Sequence, residues 1–588
     1  MAEETLFAAL SVDNVRRHVT TIVTEIPSRL AGSDNGRRMA EYSAKAMVEA
    51  GADECQIHEL PAIVSFPEAA ELRVLAPEVR TIQANTLGHS LATTPRGVEG
   101  DLMDVGSGAF ADYEGQNPLG AISMSELSYS PARHEKQRIA GLMGCSAAVM
   151  MNWGPPDNDA LPFGSVKPAW GTPTPDALQN QMPTLPCVGI ARTDGLMLRD
   201  WLAKGPVRVW LRTRVENPWC PVQITTAELK GRSDDFVVVG GHQDSWPGEA
   251  ATDNAAGNAC MYELARVFAP LKDQLRRGLV FGCWTAHETG TMAGSAWFVD
   301  QNWDRLRRHM VAYLQIDQPA CVGTSRWGTS SNAELKAFHQ GIEQRLLNGM
   351  PHYWRRAAKN GDSSFFGLGV PMLHGEGSFT EQELRQTANA NLGWWHHSLH
   401  NTLDKLDWDF MATHLRIYAA YLWELCTAPV LPFEFATVAD QVIERLETLA
   451  PFGADVGLDE TLGCARAFRG AAARLAQTAD AQRALYRAQP HRDEAAAERL
   501  NEAMKRLSRL LVPLQSTAVG TYGHDPYGYT PQTTMIPCLY DLPRQAGLPD
   551  GPERWSLAVQ LRRERNRVTD ALVDASRVVD EALETLNS

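Results

Sequence analysis

A chain of 588 residues, 44% hydrophobic and 21% charged, has the composition of an ordinary globular protein and exceeds what one core serves, so two to four domains are expected. A formal net charge of -15, spread along the chain, excludes the clustered basic surface of a nucleic-acid binder. No apolar run reaches the length of a membrane span, and the opening MAEETLFAALSVDN lacks the basic start and long apolar stretch of a signal peptide, so a soluble, cytoplasmic protein is expected.

Residues 10–60 read as helix, followed by a strand-like stretch near Leu60 to Phe66. From 85 to 215 glycine and proline become frequent and short apolar runs alternate with turns, which predicts an inserted domain of mixed strands and short helices. Residues 1–84 and 216–432 then form one α/β domain. Its strands at Phe236–Val239, Leu279–Trp284 and Val311–Ile316 are continuously apolar, and helices are expected at Asn254–Phe268 and Gly294–His309. Strands of that kind are buried on both faces, as in a mostly parallel mixed sheet sandwiched by helices. Residues 433–588 turn helical, interrupted by a loop from Thr521 rich in Gly, Tyr and Pro. In the last helix Val568, Leu572, Ala575, Val579, Ala582 and Leu586 form one apolar stripe, suited to a bundle seam or a dimer contact. The ten cysteines stand singly with no CxxC pair, which reads as free thiols rather than a sulfur-rich zinc site.

The chemistry begins in VVVGGHQDSWPGEAATDNAAG. His242 and Asp244 stand just past the end of a buried strand, where open parallel sheets bind ligands, and Asp253 follows at an expected helix start. Glu288 follows the next strand and Asp317 the one after. Each has an ordinary explanation alone, as loop histidine, N-cap or strand-end turn residue. Together they deliver histidine and carboxylates to one sheet edge, a donor set that suits zinc.

The same segment resembles a metallopeptidase family that includes bacterial zinc leucyl aminopeptidases, glutamate carboxypeptidase and the transferrin receptor ectodomain. The family's GxHxDSW…DN segment matches His242, Asp244 and Asp253. Its AEExG…GS segment reads Ala286–His287–Glu288–Thr289–Gly290 with Gly294–Ser295 behind it, and its HTxxDT-like segment fits WWHHSLHNTLDKLD. His397 is taken as the ligand there, because Ser398 and Thr402 then fall at the family's hydroxyl positions; His396 and His400 compete for the role. GDSSFFGLGVP from Gly361 resembles the lead-in to a substrate-pocket strand. Residues 85–215 resemble a protease-associated domain, and the helical region resembles, more loosely, a dimerisation domain. The resemblance implies two divalent metal ions, zinc by donor type, one on His242 and Asp317, the other on Glu288 and His397, with Asp253 bridging. It also implies that Asp244 orients His242 through its second ring nitrogen, and that the chain is a homodimer.

One position departs from the family. Active members carry a second glutamate, the proton-transfer group, where this chain has His287. Beside two cations an imidazole is expected to be neutral and still able to move a proton; the position also suits an extra ligand. Three functions stay open: a metal-dependent hydrolase of a peptide or small amide, a metalloenzyme with diverged lyase or other C–N chemistry, and a non-catalytic receptor-like homologue. Trp246, Trp394 and Trp395 are candidates for a pocket wall, Arg385 for a carboxylate contact, and the Tyr522–Tyr529 loop with His524 for a cover over the site.

Overall fold

The computed structural model describes residues 2–489, 493–528 and 534–587. At its centre eight strands form one sheet: β1 (Glu54–Ile63), β2 (Trp219–Leu229), β3 (Phe236–His242), β4 (Gly278–Trp284), β5 (Met310–Gln315), β6 (Arg326–Ser331), β7 (His352–Arg356) and β8 (Met372–Ser378), in the order β1-β2-β4-β3-β5-β8-β6-β7. The pairs β4–β3, β3–β5, β5–β8 and β6–β7 are parallel, while β1–β2, β2–β4 and β6–β8 are antiparallel, so the sheet is mixed with a parallel centre.

β3, β4 and β5 are buried at every residue. Their side chains alternate between two cores. Val237 and Val239 pack with helices Val12–Glu25, Ala256–Phe268 and Trp408–Thr427, whereas Phe236 and Val238 pack with Phe298 and Leu306 on the other face. Two helix expectations shift. Asp253 (φ -128, ψ 86) and Asn254 (φ -132, ψ 41) are not helical and the regular helix starts at Ala256. The expected 294–309 helix is two helices that break at Asn302, whose side chain folds back onto the Phe298 carbonyl.

Seven strands between Ala69 and Arg212 close a barrel, which begins earlier than the expected residue 85. Ala69–Ala76 and Arg80–Thr86 form a hairpin that alternates exposed and buried positions without any rise in glycine or proline, so only periodicity marked it. In the helical region, Leu458–Ala488, Ala495–Ser516 and Pro552–Asn587 share one apolar core with the main domain. The terminal stripe is covered there: Val568, Leu572, Ala575 and Val579 are at most 1% exposed. These four residues close a seam within the chain, while Ala582 and Leu586 at the end of the stripe are half-buried. Among the described residues, no helix is long and apolar enough to cross a membrane.

His414 ties the helix Trp408–Thr427 to the loop after β5. Its Nδ1 donates to the Phe410 carbonyl and its Nε2 accepts from the Ala320 amide, which demands a neutral ring, and burial holds its pKa at about 4. The unfolded chain, with a histidine pKa near 6.5, binds that proton first. Stability from this group is therefore full above pH 6.5 and is lost as pH falls toward 4, worth roughly 3 kcal/mol. Thermal melts between pH 7 and 4 should show a steeper acid-side loss for the native chain than for His414→Gln; equal slopes would contradict this.

Candidate metal centre

β4, β3 and β5 run side by side and parallel, so their carboxyl ends meet at one edge. His242 ends β3, Glu288 lies on the turn after β4 and Asp317 follows β5. The two glycines before His242 let the neighbours close in, since a Cβ on Gly241 would lie 2.5 Å from the Ile316 carbonyl oxygen. Asn254 donates to that same carbonyl and accepts from the amides of Gly257 and Gln318, and Asn258 donates to the His242 carbonyl at 2.6 Å. Two asparagines thus lock three ligand-bearing segments together.

All five expected ligands converge. His242 Nε2 lies 2.9 Å from Asp253 Oδ1 and 3.5 Å from Asp317 Oδ1; His397 Nε2 lies 3.2 Å from Asp253 Oδ2 and 3.0 Å from Glu288 Oε1. Asp253 therefore turns one oxygen to each histidine. His242 Nε2, Glu288 Oε1 and Asp317 Oδ1 are buried, and despite these short separations none makes a hydrogen bond. Orphaned lone pairs that face a common point fit a metal ion better than one another. Burial opposes charge on His242, but Asp317 and Asp253 outweigh it and raise its pKa well above the ordinary value; Asp253 is correspondingly held well below its own by His242 and His397, against the cost of burial. The competing His396 is also close, with Nδ1 3.3 Å from Asp253 Oδ2, whereas His400 lies outside this cluster.

Asp244 does something other than expected. His242 Nδ1 bonds the Asp244 backbone carbonyl at 2.9 Å, while the carboxylate is 3.8 Å away and instead accepts the amides of His287 and Glu288, each at 3.1 Å. It pins the turn that carries both residues. Its pKa is raised to about 6 by burial. The His287 ring stacks on His242 at 3.9 Å and 12°, and its Nδ1 meets Asp362 Oδ2 at 2.9 Å. Burial and His242 disfavour a charged His287, but Asp362 outweighs them and the protein's own groups place its pKa at about 9. Asp362 thus favours the charged ring, opposite to the effect expected of bound cations.

A cavity of about 270 Å³ opens over the site, lined by His287, Arg133, Trp153 and Phe163 from the barrel and by Tyr527 from the helical region. Tyr527 belongs to the expected covering loop and its amide bonds Pro168; Tyr529 lies outside the described residues. Trp246 is buried, and its Nε1 donates to Glu288 Oε2 at 2.8 Å. Trp394 and Trp395 pack on each other away from the cavity, and Arg385 is a solvated residue that pairs with Glu381. A larger cleft of about 1320 Å³ contains no expected ligand; its walls carry paired charges such as Lys505 with Asp235.

Several supports carried no sequence signal. Arg29 is fully buried and reaches the Glu249 and Ala250 carbonyls, and Asn401 accepts from the Thr252 amide and hydroxyl, joining the Asp253 and His397 segments. Partners that orient metal ligands are worth about 10–100-fold in affinity. Trp246→Phe, which loses the bond to Glu288, should weaken zinc binding by that factor in a chelator competition titration. An unchanged affinity would contradict the role given to the indole.

Residues 225–422 match the model of peptidase family M28. The chain is 24% identical over 313 residues to carboxypeptidase Q of Xenopus laevis, across 51% of this chain and 63% of that protein. It is 24% identical over 415 residues to a probable lipoprotein aminopeptidase of Mycobacterium tuberculosis, across 65% and 77%. The solved peptidase M28 precursor of Shewanella amazonensis superposes with TM-score 0.59 at 19% identity, covering 73% of this chain and 97% of that one, a likeness of fold. The chain thus spans less than two thirds of the carboxypeptidase. The matched region, residues 225–422, holds all five converging side chains as well as Asp244, His287 and Asp362, so the likeness to peptidase family M28 falls on the part of the chain that builds the site.

Proposed function

We propose that this chain is a two-ion metallohydrolase that cleaves a peptide or small amide bond. The observation that carries the reading is the Asp253 carboxylate, set with one oxygen toward His242 and Asp317 and the other toward His397 and Glu288. Two histidines and three carboxylates suit zinc. Ions held there would supply an acidified water and positive charge for the oxygen of the tetrahedral stage.

The protein's own groups do the rest. The cavity fixes the amide over the sheet edge, and Trp153, Phe163 and Tyr527 narrow the water-accessible space around it. His287 lines the cavity and, with Nδ1 engaged by Asp362, uses Nε2 to accept a proton from the attacking water and return it to the leaving amine. We read the barrel as the protease-associated domain that some members insert; the support is its place in the chain and the cavity wall it provides.

Histidine at position 287 is also what favours the second reading, diverged C–N chemistry. Zinc-replete protein should hydrolyse members of a panel of aminoacyl and acyl amides, and His287→Ala should lower the rate about 10²–10⁴-fold with metal content unchanged. If His287→Glu creates amide hydrolysis that the native protein lacks, the second reading replaces the first. Loss of metal in His287→Ala would make His287 a ligand and overturn the proton-transfer role.

A further inference from the structure

Asp362 is 1% exposed and lies between β7 and β8, far in sequence from the ligands. Both of its oxygens are engaged. Oδ2 meets His287 Nδ1 at 2.9 Å, and Oδ1 accepts from the Ser295 hydroxyl at 2.8 Å. Ser295 is in turn 2.8 Å from the Ser364 hydroxyl, which accepts from Trp170 Nε1 at 2.9 Å. The carboxylate therefore cannot swing toward the cavity without breaking a buried chain of hydrogen bonds.

An ionised carboxylate only accepts, so the nitrogen it faces must carry the proton. In a neutral His287 that nitrogen is Nδ1, and the lone pair is then on Nε2. The stack on His242, nearly parallel at 12°, confines the ring plane at the same time. We propose that Asp362 is a positioning residue which holds His287 in the tautomer whose Nε2 lone pair serves proton transfer, an inference that rests on the hydrolase reading above. With glutamate at position 287 no tautomer would need setting, and Asp362 would face a second carboxylate. The contribution of Asp362 should therefore exist only in the presence of the histidine.

The test uses zinc-replete full-length protein. Asp362→Asn should lower kcat about 10²–10⁴-fold, the range for a mis-set general base. KM should stay within about threefold and the bound zinc should be unchanged. In a His287→Glu background the same change should alter kcat by less than about threefold. Ser295→Ala, which loosens Asp362 without removing it, should cost roughly threefold to tenfold, the scale of one hydrogen bond. Nitrogen NMR of histidine-labelled protein, with the His287 signal assigned by its loss in His287→Gln, should show Nδ1 protonated in the native chain and the proton moved to Nε2 in Asp362→Asn. Equal losses in both backgrounds would assign Asp362 a merely structural role, zinc loss would make the pair a metal ligand with its support, and unmoved ring signals would refute tautomer control. If native protein hydrolyses no amide, the hydrolase reading fails, and the ring signals alone decide the role of Asp362.

Discussion

The carboxylates of Asp253, Glu288 and Asp317 are gathered around His242 and His397 at the end of a parallel sheet. Taking a carboxylate out of water costs several kcal/mol unless an opposite charge accompanies it, and three together repel one another. Within the protein, their charge is met by His242 and His397, whose pKa values rise against the pull of burial. A divalent cation would meet the same negative charge in the place of the protons on those histidines. Most of the surrounding structure can be understood as holding this repulsive cluster in place.

That holding is done mainly by backbone carbonyls and amides rather than by ion pairs. Asn254 and Asn258 fasten the ends of β3 and β5, Asp244 grips the turn that carries His287 and Glu288, and Asn401 bridges to the His397 segment. The barrel joins in through the Phe163 amide, which donates to the His397 carbonyl at 2.7 Å. The helical region contributes Tyr527 and anchors itself through Arg509, which donates to the carbonyls of Arg307 and Gly369. Three parts of the chain thus complete one cavity, and its walls are set by residues far from the metal ligands in sequence.

The ligands were legible because each has a local mark: a histidine or carboxylate at the end of a buried apolar strand, in a short recognisable pattern. The alternation of Val237 and Val239 against Phe236 and Val238 explains why the strands themselves were equally plain. Asp362 was not legible as a partner of His287, because 75 residues separate them and only the fold brings them together. Arg29 and Asn401 escaped for the same reason, whereas Tyr527 lies in the loop already expected to cover the site. The barrel's start at Ala69 was hidden by a polar hairpin, and the terminal stripe had two possible partners until the fold placed it on the chain's own helices.

The central claim is that Asp253 serves two ion positions at once, and counting metal tests it most directly. Zinc titrated into metal-stripped protein, followed by elemental analysis and by anomalous diffraction from crystals, should give two ions per chain roughly 3.5–4 Å apart. In Asp253→Ala both should be lost or weakened together. A single ion, or one that stays at full occupancy without Asp253, would contradict the account.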